Sequence, residues 1–474
     1  MRTVEQIKEL CPHDSNGSVV KIDGDLWYKI ENYNSIPDFF MTITSSSDVW
    51  NFIWSSGALS AGRKDSGFAI FPYYTCDKID DFKNCAGPFS AVKVKATDAN
   101  SKDGASNGKT FYWEPFAVSP SFKVKRNLYK NSSGSHIVFE EINEELNLTF
   151  KQEWTSSAKY GLVRIARIIN NAEVEQTVQI LDGCRNIMPA CATVSLQNDS
   201  SVLLDAYKKT DLDLESGLAM FSLSSVLTDR AEPSEALWAN TCWFNIDAPV
   251  YLDSAIEKQF ALDENLGSPD SRASYEQTKI LKGARPSCNI IKTFKLSAGK
   301  EENWYQVFDT NLELSRIQDL KKKLSDRDCI TKDLIKDIKD GQDLLNKYIG
   351  DADGIQNTND AITCIHHKAN VMFNIMRGGV FVENNTIHTA DFIKFVTTRN
   401  TNQIENAKAL CTSETVSYKE LGEKVKASGN DQLYRLYLEY LPLSFSRRHG
   451  DPSRPWNKFS INLRDSLGNP ILNY

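Results

Sequence analysis

The chain has 474 residues, of which 41% are apolar and 25% charged, with a formal net charge of −7. A chain of this length holds about two or three domains and a substantial core. No run of about 18 apolar residues is present, which argues against a helical membrane span, and the negative balance argues against a nucleic-acid partner.

The first residues, Met1-Arg-Thr-Val-Glu-Gln-Ile-Lys-Glu-Leu10, alternate charges with apolar residues at helical spacing. Without the apolar core of a secretion signal, they place the expected protein in the cytoplasm. From about Gly17 to Gln306, short runs of β-branched and aromatic residues are broken by Gly, Asn, Asp, Ser and Pro, which is a strand-and-turn pattern. Clear cases are Leu26–Ile30, Ser121–Lys125, His136–Glu140, Leu146–Trp154, Leu162–Ile169 and Thr177–Leu181. In Leu162–Ile169 the arginines at 164 and 167 break strict alternation, which marks either a bulge or a strand entering a buried position. So many strands predict two large stacked sheets in one domain.

Within this region Ser55–Tyr74 carries glycines and offers Arg63, Tyr73 and Tyr74. Such a loop can line a neighbouring domain's binding site, or it can be glycine turns with tyrosines packed as core. Glu114, between Trp113 and Pro115, is a carboxylate beside an aromatic, an arrangement that suits carbohydrate, though one such pair says little by itself. The stretch Lys95–Lys109 reads as a surface loop.

Between Asn311 and Tyr348 the period becomes helical: Leu314, Ile317, Leu320 and Leu324 form one face, and Ile330, Leu334, Ile335 and Ile338 a second. Lys321–Lys323 reads as their solvated face, and Gly350-Asp-Ala-Asp-Gly354 as a break. Further helices are expected from Thr363 to Met376, stopped by Gly378-Gly379, from Thr389 as a cap, from the capping box Ser417-Tyr-Lys-Glu420, and from Asp431 to Tyr440. His366 and His367 are adjacent and so lack the i, i+4 spacing of a helical metal site. The cysteines show no Cys-x-x-Cys pair, so neither a metal site nor a disulfide framework is expected, and most read as small buried hydrophobes.

The most chemically loaded stretch is Leu441–Asn457, which holds Arg447, Arg448, His449, Asp451, Arg454 and Trp456, with Gly450, Pro452 and Pro455 opposing helix. Read as a stiff polar loop, it can bind an oxyanion or a row of sugar hydroxyls on its guanidinium forks, with Trp456 as a platform. It can equally be an internal clamp in which an arginine pairs with Asp451. After it, Phe459–Arg464 and Pro470–Tyr474 read as two arms of a hairpin that the chain leaves unfinished, as expected of a truncated product.

The segments Leu59–Arg63 through Phe71–Thr75, Tyr160-Gly-Leu-Val-Arg164, Leu181-Asp-Gly-Cys-Arg-Asn-Ile-Met-Pro189, Ala369–Gly379 and Ser446–Trp456 resemble the front part of large bacterial proteins similar to cellobiose phosphorylase. The resemblance spans nearly the whole chain. It implies a large two-sheet β-sandwich over 1–310, a helical linker over 311–350 and the incomplete start of an α/α barrel over 351–474. It further implies inverting phosphorolysis of β-glucosides by the full-length protein, with inorganic phosphate as co-substrate, no cofactor or metal, and an oligosaccharide or glucan as partner. In that family the barrel continues past the last residue here and carries the catalytic acid, so no catalytic residue transfers and the chain alone is expected to be inactive. The candidate substrate- or phosphate-binding residues are Arg447, Arg448, His449, Asp451, Arg454, Trp456, Arg63 and Tyr73. Two alternatives stay open, a carbohydrate-binding or scaffolding module and part of an inverting glucan hydrolase. General symmetry priors favour a homodimer if the chain self-associates.

Overall fold

The computed structural model describes residues 14–72, 81, 83–95, 109–200, 202–226, 232–233, 238–263, 278–351, 354–355, 358–375 and 386–449, with side chains of the last helix described as far as Tyr440. The chain divides into two compact units, Met1–Asp343 and Leu344–Tyr474.

The first unit is β-sandwich-like. One layer is a sheet of eleven strands, and the facing layer is split into a five-stranded and a four-stranded sheet. Two stacked sheets were expected from the sequence; the second layer is broken because Leu59–Arg63 and Ala69–Phe71, read there as loop, are strands of the four-stranded sheet. The main core lies between the layers. It joins Phe139, Phe150, Leu162 and Trp304 of the large sheet to Val92, Val178 and Ile180 of one small sheet and Ile43, Ile53 and Ala61 of the other.

The broken alternation in Gly161–Asn170 is not a bulge, because its pairing with Leu148–Ser157 and Glu301–Glu313 runs in unbroken register. The strand is buried on both faces. Leu162, Ala166 and Ile168 enter the inter-sheet core, while Val163 and Ile165 pack with Ile317, Leu320, Leu324, Ile330 and Leu334 of two helices, Leu314–Leu324 and Arg327–Asp351. These are the two helices that the apolar spacing predicts. The five-stranded sheet is covered on its outer side by the helix Ala255–Leu262, through Ile256 and Phe260 against Ala91, Leu181 and Ile291. This helix and the short ones at Val194–Ser200 and Val202–Tyr207 interrupt a region that the pattern reads as strand throughout. In the strand Gln176–Arg185, Gly183 sits where any side chain would run into the Cys288 carbonyl of the adjacent strand, so only glycine lets the strands approach.

The second unit is helical, with its own core of Leu345, Ile349, Phe392, Val396, Leu421, Val425, Leu433, Tyr437 and Tyr440. A minimal antiparallel pair, Thr386–His388 with Thr415–Ser417, centres on Ile387 opposite Val416. Each strand leads directly into a helix, Thr389–Arg399 and Tyr418–Ala427. Ser417 caps its helix, its Oγ accepting from the Glu420 amide at 3.1 Å. Thr389 opens its helix as expected, with Asp391 in the first turn; it is the first helical residue and not a side-chain cap, its hydroxyl donating to the Ser413 carbonyl at 2.6 Å. The helix at 327 runs through Gly350 to Asp351, so the expected break begins only beyond it. An α/α barrel is not seen among the described residues.

Two further expectations change. Asp431–His449 is one helix, so Leu441–His449 are helical and not part of a stiff loop; Pro442 removes one backbone donor without ending the helix. Of the described cysteines, all free thiols, only Cys184, Cys242 and Cys288 are buried. The expected N-terminal helical pattern, the loop across 96–108, the Gly378-Gly379 stop and the hairpin across 459–474 lie outside the described residues. No described helix is long and apolar enough to cross a membrane.

Candidate functional site

A cleft of about 750 Å³ in the first unit is lined by residues of both the large sheet and the five-stranded sheet. Its floor is made by inward-facing residues of both layers: Arg126, Phe139 and Gln152 from the large sheet and Ser90 from the smaller one. Its walls are the segment Tyr33–Asp38, the turn Ser55–Gly57, the segment Glu114–Ser119 and the ends of two strands at Pro88 and Arg185.

The walls are pinned by polar contacts. Glu141, wholly buried, accepts from Trp113 Nε1 at 2.7 Å, from the Phe116 amide at 2.8 Å and from Arg126 Nε at 2.7 Å. Arg126 Nη2 in turn donates to the Ala117 carbonyl at 2.6 Å. One carboxylate therefore holds the 114–119 segment onto the large sheet, with its charge balanced by a guanidinium. Ser55 Oγ donates to Asp38 Oδ1 at 2.8 Å, tying turn to wall. Arg185 is forked onto Glu257 at 2.6 and 2.9 Å and lies 3.9 Å over the Phe89 ring.

Beneath the floor, Arg164 and Asp182 form a fully buried pair that Ser90 and Trp304 complete, Ser90 Oγ and Trp304 Nε1 each donating to Asp182 at 2.6 Å. Glu114 stands at the cleft wall, where Tyr112 donates its hydroxyl at 2.7 Å. Burial, and then that hydrogen bond and the Glu114 charge, push the Tyr112 phenol far above its ordinary value, so it stays a donor. Tyr33, its ring edge-on to Phe139 at 5.9 Å, is likewise raised, chiefly by burial.

Arg63 ends a strand and spends its guanidinium internally, Nε on Asp309 at 2.6 Å, Nη1 on Asp48 at 2.6 Å and Nη2 on the Ala158 carbonyl at 3.0 Å. Arg447, Arg448 and His449 belong to the last helix turns, where only the backbone is described. Tyr73, Asp451, Arg454 and Trp456 lie outside the described residues. Among the described residues no group of three or more His, Cys, Asp or Glu side chains is placed to hold a metal.

Sequence reasoning weighed Glu114 but overlooked Tyr33, Asp38 and Arg185. Arg185 was within reach, since it stands in Leu181-Asp-Gly-Cys-Arg185. Tyr33 and Asp38 carry no local signal, because only the fold brings their segment against the five-stranded sheet.

Residues 381–442 match the family described as glycoside hydrolase family 149 insertion domain 1. No curated protein sequence matches the chain. Among solved structures, the chain is similar at 8% identity and a TM-score of 0.31 to one whose description names a kojibiose phosphorylase from the human microbiome, over 83% of this chain and 43% of that one. It is similar at 9% identity and a TM-score of 0.30 to a bacterial glucoamylase complexed with acarbose, over 92% of this chain and 61% of the other. A 4-alpha-glucanotransferase from Thermococcus litoralis follows at 9% identity and a TM-score of 0.23, over 62% and 39%. The chain spans less than two thirds of the length of each. Likenesses this low carry nothing about activity.

Proposed function

We propose that this chain is the non-catalytic front portion of a carbohydrate-active enzyme of the glycoside phosphorylase kind, one that cleaves β-glucosides with inversion. The observation that carries the reading is the match of residues 381–442 to an insertion domain of a glycoside hydrolase family, falling within the compact helical unit. The segments that resemble proteins similar to cellobiose phosphorylase support it: two of them, Tyr160–Arg164 and Leu181–Pro189, supply the Arg164–Asp182 pair at the centre of the sandwich.

In phosphorolysis, a phosphate oxygen forms a bond to the anomeric carbon as the glycosidic bond breaks, and a carboxylic acid protonates the departing oxygen. Cations must gather the phosphate and neutralise it. Arg447 and Arg448, with His449, are the side chains assigned here to that task, and the acid is assigned to a part of the protein outside this chain.

Titration calorimetry of phosphate, then of cello-oligosaccharide, into the purified chain tests the reading beside an Arg447→Ala, Arg448→Ala double variant. Phosphate binding that disappears in the variant, with no sugar phosphate released by the chain alone, is the expected result. Phosphate-dependent turnover by this chain would contradict the assignment of the acid elsewhere. Absence of phosphate binding, with the variant only less stable, would make the arginines a structural clamp.

A further inference from the structure

We infer that the cleft between the large sheet and the five-stranded sheet is a binding site for a neutral oligosaccharide, with Glu114 and Asp38 receiving its hydroxyls. The inference stands on the cleft and does not depend on phosphorolysis.

The first argument is a count of unused hydrogen-bonding groups. Glu114 uses one oxygen on Tyr112, and the other has no partner among the described residues. Asp38 uses Oδ1 on Ser55 and has its second oxygen in the same position. Two carboxylate oxygens that cannot donate call for a ligand rich in donors. Sugar hydroxyls are such donors, and a carboxylate can accept from two neighbouring ones at once.

The second argument is charge. The guanidinium groups near the cleft are already neutralised, Arg126 by Glu141 and Arg185 by Glu257. The uncommitted carboxylates Asp38 and Glu114 repel an anion, and Lys83 is the only lining cation without an ion pair among the described residues. A phosphorylated or uronic sugar is therefore disfavoured, while an uncharged one loses nothing.

The third argument is shape and surface. A cleft of about 750 Å³ lies in the range that encloses a small-molecule ligand. Its apolar lining includes Ile36, Pro37, Val118 and the partly exposed rings of Phe89 and Phe116. Apolar groups of this kind take the C–H face of a pyranose while polar groups at the rim take its hydroxyls.

The test uses the whole chain and calorimetric titration with cellotriose, maltotriose and xylotriose, against glucose 1-phosphate and a trigalacturonate. At least one neutral trisaccharide is expected to bind saturably. Its affinity should fall about tenfold or more in an Asp38→Asn, Glu114→Gln double variant, the loss expected for charge-assisted hydrogen bonds, and both anionic sugars should bind at least about tenfold more weakly. Unchanged near-ultraviolet circular dichroism in the variant shows that the wall is still folded; the single variant Asp38→Asn serves if it is not. Lack of binding by all three neutral sugars, or binding that the variants leave unchanged, overturns the inference. Neither result bears on phosphate binding at Arg447 and Arg448, so the two readings fail separately.

Discussion

Arg164 and Asp182 meet across the two layers of the sandwich as a bidentate pair, Nη1 to Oδ2 at 2.8 Å and Nη2 to Oδ1 at 2.7 Å, with both side chains fully buried. Neither partner can be removed alone without leaving a charge in the core. Asp182→Asn or Arg164→Leu should each destabilise the sandwich by about 3–5 kcal/mol, whereas Arg164→Leu with Asp182→Leu should cost much less than the sum. Urea unfolding followed by tryptophan fluorescence reads this directly, since Trp304 donates to Asp182. Additive single losses would show that the pair is not coupled.

Arg63 is committed to Asp309 and Asp48 within the first unit. Arg63→Lys keeps the charge and loses the fork, so a loss of about 1–3 kcal/mol in stability is expected. Affinity for saccharide or phosphate should stay within about twofold, because its guanidinium donors are already used on internal acceptors. A large drop in ligand affinity with unchanged stability would return Arg63 to the binding residues.

What the sequence made legible follows from range. Periodicity is local, so strands such as Leu148–Ser157 and Gly161–Asn170, the helices at 314 and 327 and the Ser417 capping box are readable from neighbours along the chain. The helix Ala255–Leu262 was missed because its eight residues carry only two buried anchors, Ile256 and Phe260, too few to set a period. Leu441–His449 was read as loop because Gly450, Pro452 and Pro455 beyond it weigh against helix, whereas a helix already propagating from Asp431 continues through Pro442 to His449. The cleft was illegible for a different reason. Tyr33, Asp38, Glu114 and Arg185 are far apart in sequence, and only the pairing of non-adjacent strands collects them.

Alkaline stability carries a signed prediction for Lys130. Its Nζ donates to the Thr42 carbonyl at 2.8 Å, and burial lowers its pKa from 10.5 to about 8. Between those values the unfolded chain binds a proton that the folded chain has released, so this residue adds stability as pH rises. Burial acts oppositely on the Cys184 and Cys242 thiols and the Tyr33 and Tyr129 phenols, all held above their ordinary values. Their stabilisation is complete below the unfolded values of 9.0 and 10.0 and is lost above them. Urea midpoints of the wild type should therefore decline above about pH 9, and Lys130→Met should decline more steeply from about pH 8 to 10. Parallel curves for the two proteins would remove Lys130 from the account.

In the helical unit, Gly422 packs directly under Tyr437. A Cβ there would lie 2.6 Å from the Tyr437 hydroxyl oxygen and 2.9 Å from its Cζ. The ring cannot move aside freely, since its hydroxyl donates to the Tyr418 carbonyl at 2.9 Å and it stacks on Tyr418 at 5.7 Å. Alanine in place of glycine inside a helix normally gains about 1 kcal/mol. Overpacking a tight contact costs about 1–3 kcal/mol, and here it should win. Gly422→Ala is thus expected to lower stability by up to about 2 kcal/mol, against the helix propensity. Tyr437→Phe removes the nearest clashing atom, so the double variant should be more stable than the two single losses combined predict. Thermal melts of the four proteins form the cycle, and a stabilised Gly422→Ala would mean that the two helices are free to separate at this contact.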